Sequence, residues 1–73
     1  MSECPEFKGL LVNAIPNLRA FALSLCGNSN LADDLVQETL VKAWHKQSSF
    51  QTGTNIKAWL FTILRNEFYS QMR

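Results

Sequence analysis

The stretch Leu31-Ala32-Asp33-Asp34-Leu35-Val36-Gln37-Glu38-Thr39-Leu40-Val41-Lys42-Ala43-Trp44-His45 decides the fold. On a helical wheel Leu31, Ala32, Leu35, Val36, Thr39, Leu40 and Ala43 fill one broad arc, and Asp34, Gln37, Glu38, Val41 and His45 fill the opposite one. One apolar side at a period near 3.6 is the pattern of an amphipathic helix lying on a core. Asn30 is the expected N-cap, with the Asp33 carboxylate close to the positive end of the helix. Glu38 and Lys42, four residues apart, are an expected ion pair along the exposed side.

Upstream, Phe7, Leu10, Leu11, Ala14, Ile15, Leu18, Phe21, Ala22 and Leu25 recur at spacings of 3 and 4, a single helical stripe. Pro16 interrupts it. Its ring nitrogen has no hydrogen for the carbonyl of Val12, and the ring crowds the preceding turn. A break near Asn13–Ile15 is therefore expected, with the helix restarting at Pro16. Gly27 closes the segment as a left-handed cap, and Asn28, Ser29 and Asn30 make the turn.

Downstream, Ser48–Asn55 reads as a loop of Ser, Gln, Thr and Gly carrying one aromatic, Phe50. Thr54 is the expected cap of a last helix. In that helix Ile56, Leu60, Ile63 and Leu64 form the core stripe with Trp59 at its border. Asn55, Thr62, Arg65, Asn66 and Tyr69 take the far face, and Glu67 falls inside the apolar stripe. The architecture expected is all-α: a small antiparallel bundle of three main helices, the first broken near Pro16. Residues 1–73 make one domain. The misplaced Glu67 and the absence of a C-cap signal at Arg73 lead to the expectation of a longer protein.

The rest of the sequence narrows the function. A hydrophobic fraction of 47% against 18% charged residues fits a globular domain. No uninterrupted apolar run nears the roughly 18 residues of a membrane span. The N-terminus lacks the charged and apolar regions of a signal peptide. Cys4 and Cys26 form no CxxC pair and are expected as reduced thiols in a cytoplasmic protein. With His45 the only histidine, no zinc set can be assembled, so no metal or cofactor is expected. No nucleophile–base pair or phosphate-binding glycine motif is visible, so an enzyme is not expected.

The net charge of +1 conceals an asymmetry. Residues 1–40 set Lys8 and Arg19 against Glu3, Glu6, Asp33, Asp34 and Glu38, a net −3. Residues 41–73 set Lys42, Lys46, Lys57, Arg65 and Arg73 against Glu67 alone, a net +4. Two surfaces follow. On the second helix, Asp34, Gln37 and Glu38 are either a solvated face or a docking face for cationic side chains, with Val41 as an apolar neighbour. In the basic half, Phe50, Trp59, Phe61, Phe68 and Tyr69 interleave with Lys57 and Arg65 and with the amides of Asn55 and Asn66. Cations that neutralise phosphate beside rings that stack bases suit single-stranded nucleic acid. Trp59, Phe61 and Phe68 are equally at home in a core. Phe50 either serves a ligand or plugs the end of the bundle.

The run Ala32-Asp33-Asp34-Leu35-Val36-Gln37-Glu38-Thr39-Leu40-Val41-Lys42-Ala43-Trp44, then Phe50, then Ala58-Trp59-Leu60-Phe61-Thr62-Ile63-Leu64-Arg65-Asn66, resembles region 2 of a bacterial sigma factor of the extracytoplasmic-function group. The segments Pro16-Asn17-Leu18-Arg19-Ala20-Phe21-Ala22 and Leu25-Cys26-Gly27 are similar to the same group's first helix, in the style of the alphaproteobacterial general-stress subgroup. The resemblance implies the sigma region 2 fold. It also implies docking on the β′ clamp helices of core RNA polymerase through Asp34, Gln37 and Glu38, with Val41 beside them. It further implies recognition and melting of the promoter minus-ten element. There the non-template strand would meet Phe50, Gln51, Thr52, Asn55, Lys57, Trp59, Thr62, Arg65, Asn66 and Tyr69, with a base flipped into the loop. Thr62 stands where some members hold a basic residue. An anti-sigma factor and a second, helix-turn-helix domain are further implications. The alternative is a sigma mimic that binds an anti-sigma factor without DNA, a role with no need for both residue sets.

Overall fold

The structure is a computed structural model that describes residues 5–50 and 54–72, apart from the side chains of Pro5 and Glu6. Its elements are α1 (Pro5–Cys26), α2 (Ser29–His45), a short 3-10 turn (Gln47–Ser49) and α3 (Ile56–Gln71). Each of the three α-helices packs against the other two. The buried stripe of α1 is Phe7, Leu11, Ala14, Leu18 and Ala22. It meets Ala32, Leu35, Val36, Thr39 and Ala43 of α2 and Leu60 and Leu64 of α3. Small residues at Ala14, Ala22, Ala32 and Ala43 let the backbones approach where helices cross. Thr39 is the one buried polar side chain among the described residues, and its hydroxyl donates to the Leu35 carbonyl at 2.7 Å. That bond, made within its own helix, removes the cost of burying an unpaired hydroxyl.

The expected break at Pro16 does not occur: α1 runs unbroken through it. Val12, Asn13, Pro16 and Asn17 are all exposed, so the carbonyl that loses its donor lies on the side open to water. Ala14 and Leu18, on either side of the proline, are locked into one core. Tertiary burial thus holds the helix across a residue that would end it in isolation. By length and composition Phe7–Cys26 is also apolar enough to cross a membrane. In this fold Phe7, Leu11, Ala14, Leu18 and Ala22 form its buried stripe, while Leu10, Val12 and Leu23 are exposed.

Gly27 has φ 67° and its N–H donates to the Leu23 carbonyl at 2.8 Å, the expected left-handed cap. The α2 cap is Asn28, not Asn30. Its Oδ1 accepts from the N–H groups of Asn30 and Leu31 at 2.9 and 3.1 Å. Starting the helix at Ser29 places Asn30 and Leu31 in its first turn, and Leu31, expected in the core, is 50% exposed there. Asn55, not Thr54, caps α3, its Oδ1 accepting from the N–H groups of Lys57 and Ala58 at 3.0 and 3.3 Å. Cys26 is a half-buried thiol whose Sγ lies 3.1 Å from the Ala22 carbonyl. Cys4 lies outside the described residues.

Candidate docking and nucleic-acid faces

On α2, Asp34, Gln37, Glu38 and Val41 are all exposed and follow one another at spacings of 3, 1 and 3, so they share a face. Asp33, one residue earlier, points elsewhere: Arg19 Nη2 lies 3.0 Å from its Oδ1 and ties α1 to α2. Among the described residues neither Asp34 nor Glu38 forms an ion pair. The expected Glu38–Lys42 pair is absent. Lys42 reaches instead across to α3, where its Nζ is 2.8 Å from Glu67 Oε1. Beside this face an apolar groove of about 450 Å³ runs between α1 and α2, lined by Leu11, Val12, Ile15, Leu40, Val41 and Trp44 among others. Val41, 54% exposed, belongs to both surfaces.

Glu67, which the periodicity placed inside the apolar stripe, is explained by the same pair. Its side chain is 12% exposed, and its second oxygen accepts from Gln71 Nε2 at 3.1 Å. The ammonium of Lys42 and the Gln71 amide hold the carboxyl below the ordinary carboxylate range against a burial effect that pushes it up. The Glu67 carboxylate, by hydrogen bond and charge, raises Lys42 above the ordinary lysine value. Glu67 therefore has its partner inside the domain.

At the loop end of the bundle four rings gather. Phe7, 4% exposed, has ring centroids of Trp44, Phe50 and Trp59 at 6.2, 5.8 and 6.0 Å. Phe50 and Trp59 are 5.1 Å apart. These are tilted and edge-on arrangements of the sort aromatic quadrupoles favour. Phe50 is thus half-buried against Phe7 rather than isolated in a polar loop, although part of it faces outward. Gln51 and Thr52 lie outside the described residues. Asn55 has its amide oxygen engaged as a helix cap. On α3, Trp59, Thr62, Asn66 and Tyr69 follow at spacings of 3 and 4 and so share a face. Trp59 is half-buried; Thr62, Asn66 and Tyr69 are exposed, and the Thr62 hydroxyl donates to the Ala58 carbonyl at 3.0 Å. Arg65 is exposed beside that face, whereas Lys57 is exposed outside it.

The partnership of Phe7 and Trp44 in this cluster was not foreseen, because both sit on helices distant in sequence from the loop. Lys46 was missed as well. It caps the C-terminus of α2 and lines a polar cleft between α2 and α3 with Lys42, Asn66, Glu67 and Ser70. Its signal in the sequence was the spacing Lys42–Lys46, one helical turn within the basic half.

Fold and surface together define a small helical module with two chemically distinct exposed faces, one acidic on α2 and one aromatic and basic around α3. Comparison with known proteins gives that class its family. The family model Sigma-70 region 2 matches residues 11–73, and the chain belongs to this family. It is 60% identical over 63 residues to the ECF RNA polymerase sigma factor EcfG of Rhodopseudomonas palustris, covering 86% of this chain and 35% of that protein. It is 43% identical over 54 residues to the ECF RNA polymerase sigma factor SigL of Mycobacterium tuberculosis, covering 73% of this chain and 30% of the relative. Among solved structures, the sigma factor RpoE of Bartonella quintana, crystallised in complex with the anti-sigma factor NepR, superposes with a TM-score of 0.89 at 63% identity, over 96% of this chain and 44% of that one. The chain thus spans about a third of the length of these curated relatives.

Proposed function

We propose that this domain docks on core RNA polymerase through Asp34, Gln37, Glu38 and Val41 and presents the loop and α3 to the non-template strand of the promoter minus-ten element. The observation that carries the reading is the separation of the two residue sets. Asp34, Gln37, Glu38 and Val41 are exposed on α2 while the neighbouring Asp33 is bound to Arg19. Thr62, Arg65, Asn66 and Tyr69 are exposed on α3 while Leu60 and Leu64 fill the core. Carboxylates one turn apart suit guanidinium and ammonium groups of a helical partner. The basic, aromatic side suits an opened strand, with stacking worth about 1–3 kcal/mol per base.

The domain does no covalent chemistry in this reading. It binds the opened strand better than the duplex and so shifts the melting equilibrium. Extruding a base costs a few kcal/mol, and the outward part of the Phe50–Trp59 pair is a platform for it. The work belongs in the cytoplasm, on DNA. An anti-sigma factor that covers either face would block it, and the sigma factor RpoE of Bartonella quintana is known in complex with an anti-sigma factor.

Labelled protein titrated with a single-stranded minus-ten oligonucleotide, and separately with a β′ clamp-helix fragment, tests the reading. Amide shifts are expected at residues 50–66 with the first and 34–41 with the second. No shift at either set would sink it. The burial of Phe50 and the capping role of Asn55 give some support to a second reading, a mimic that binds an anti-sigma factor and no DNA. Anti-sigma binding without polymerase or oligonucleotide binding would establish that one.

A further inference from the structure

Where α3 packs on α2, three chemistries follow one another along one seam. Phe50 and Trp59 meet at one end of it. Next comes a cleft of about 190 Å³ lined by Lys42, Lys46, Ile63, Asn66, Glu67 and Ser70. Trp59, Asn66 and Ser70 are spaced by 7 and 4 on α3, so they lie along one side of that helix. At 1.5 Å per residue, Asn66 is about 10 Å beyond Trp59 along the axis. Lys46 and Ser70 are exposed, and among the described residues Lys46 forms no ion pair. Lys42 is held by Glu67, the only acidic residue of the basic half.

We infer that this cleft is a seat for the sugar-phosphate backbone of the single strand, in which Lys46 contacts phosphate directly and Glu67 is a latch that holds Lys42 back until phosphate competes for it. The inference rests on the strand-binding reading above and adds residues to it. A strand whose base lies on the Phe50–Trp59 platform has its backbone led along the seam to the Asn66 amide, the Ser70 hydroxyl and the Lys46 ammonium, all suited to phosphate oxygens. The Glu67 carboxylate repels the same phosphate. While it stays paired, Lys42 brings no net charge to the cleft. Exchange of Glu67 for phosphate on Lys42 converts one internal ion pair into one external contact. The contact is blind to base identity, so it acts on any single strand.

The test uses the 73-residue chain, a fluorescein-labelled oligothymidylate, and anisotropy across a salt series. Each phosphate neutralised on a single strand contributes about 0.7 to the slope of log K against log salt. Lys46→Ala is expected to bind severalfold more weakly with a slope shallower by about 0.7. Glu67→Gln keeps a partner for Gln71 but frees Lys42, and is expected to bind more tightly with a steeper slope. Lys8→Ala, on α1 and away from the seam, matches the charge change of Lys46→Ala and controls for net charge. Circular dichroism of each variant verifies the fold. If Lys46→Ala and Lys8→Ala behave alike, the seat is overturned while the strand-binding reading stands. If Glu67→Gln weakens binding in a folded protein, the latch is overturned and the pair is a brace. If the unaltered chain binds no oligothymidylate at millimolar concentration and its amides at 50–66 do not respond to the minus-ten strand, both ideas fail together.

Discussion

Phe50 packs against Phe7 and Trp59 with ring centroids 5.8 and 5.1 Å away, and it also borders the surface proposed for the strand. Read from its polar neighbours alone, it is dispensable for folding. Read from its contacts, it is half of the plug over the end of the core. Truncating a fully buried Phe costs about 3–5 kcal/mol, so half-burial suggests roughly 1–3 kcal/mol for Phe50→Ala. Urea denaturation is the measurement. A loss below about 0.5 kcal/mol, the range of featureless surface changes, would return the ring to a purely ligand-facing role. The caps teach a similar lesson. Asn28, Ser29, Asn30, Thr54 and Asn55 are all competent cap residues, and the sequence offered no way to rank neighbours. Packing ranks them: burial of Ala32 and Leu35 fixes the phase of α2, and burial of Leu60 fixes that of α3. Asn55→Ala should cost about 1 kcal/mol, read as a lower urea midpoint. Because Asn55 is also a proposed strand contact, its binding defect must be compared with that of Thr62→Ala, which removes no cap.

The helices themselves were legible because each keeps its apolar residues at spacings of 3 and 4 over more than two turns. The continuity of α1 was not legible. Local propensity marks Pro16 as a stop, whereas the stripe from Phe7 to Ala22 continues through it. A proline inside a helix costs about 3 kcal/mol relative to alanine, partly offset because it also restricts the unfolded chain. Pro16→Ala is therefore expected to stabilise the domain by about 1–3 kcal/mol, seen as a raised urea midpoint. A neutral or destabilising result would mean that the ring makes contacts its exposure does not suggest. Between elements, the Lys42–Glu67 pair makes a second expectation with a definite sign. Glu67 is held below its ordinary value of 4.5, so its contribution is present above that pH and is lost as pH falls through the lowered value. Lys42 is raised above 10.5, so its share is present below that pH and is lost as pH rises through the raised value. Thermal melts between pH 5 and pH 2, pH values chosen to span the Glu67 window, should show a smaller acid loss in Glu67→Gln than in the unaltered chain. Equal losses would show that other carboxylates carry the acid sensitivity.

At the scale of the molecule, the exposure of the candidate faces was more legible than the contacts that join the helices. The exposed positions on α2 and α3 follow directly from helical phase. The Lys42–Glu67 pair, the Arg19–Asp33 pair and the four-ring cluster each join residues far apart in sequence, and no local pattern encodes such partners. These cross-links matter because the domain is small. At ~0.05–0.15 kcal/mol per residue its whole stability is roughly 4–11 kcal/mol. Leu60 is fully buried at the junction of the helices, and replacing such a leucine by alanine removes about 2–5 kcal/mol. Leu60→Ala is therefore expected to leave a substantial unfolded fraction at room temperature and a broad, early loss of helical ellipticity on heating. Exposed Glu38→Lys should leave the melt unchanged while weakening clamp-helix binding. The two variants separate folding from docking. If Leu60→Ala melts like the unaltered chain, the core is not held in common by the three helices. If Glu38→Lys melts early, the α2 face is part of the fold and its residues are not available for a partner.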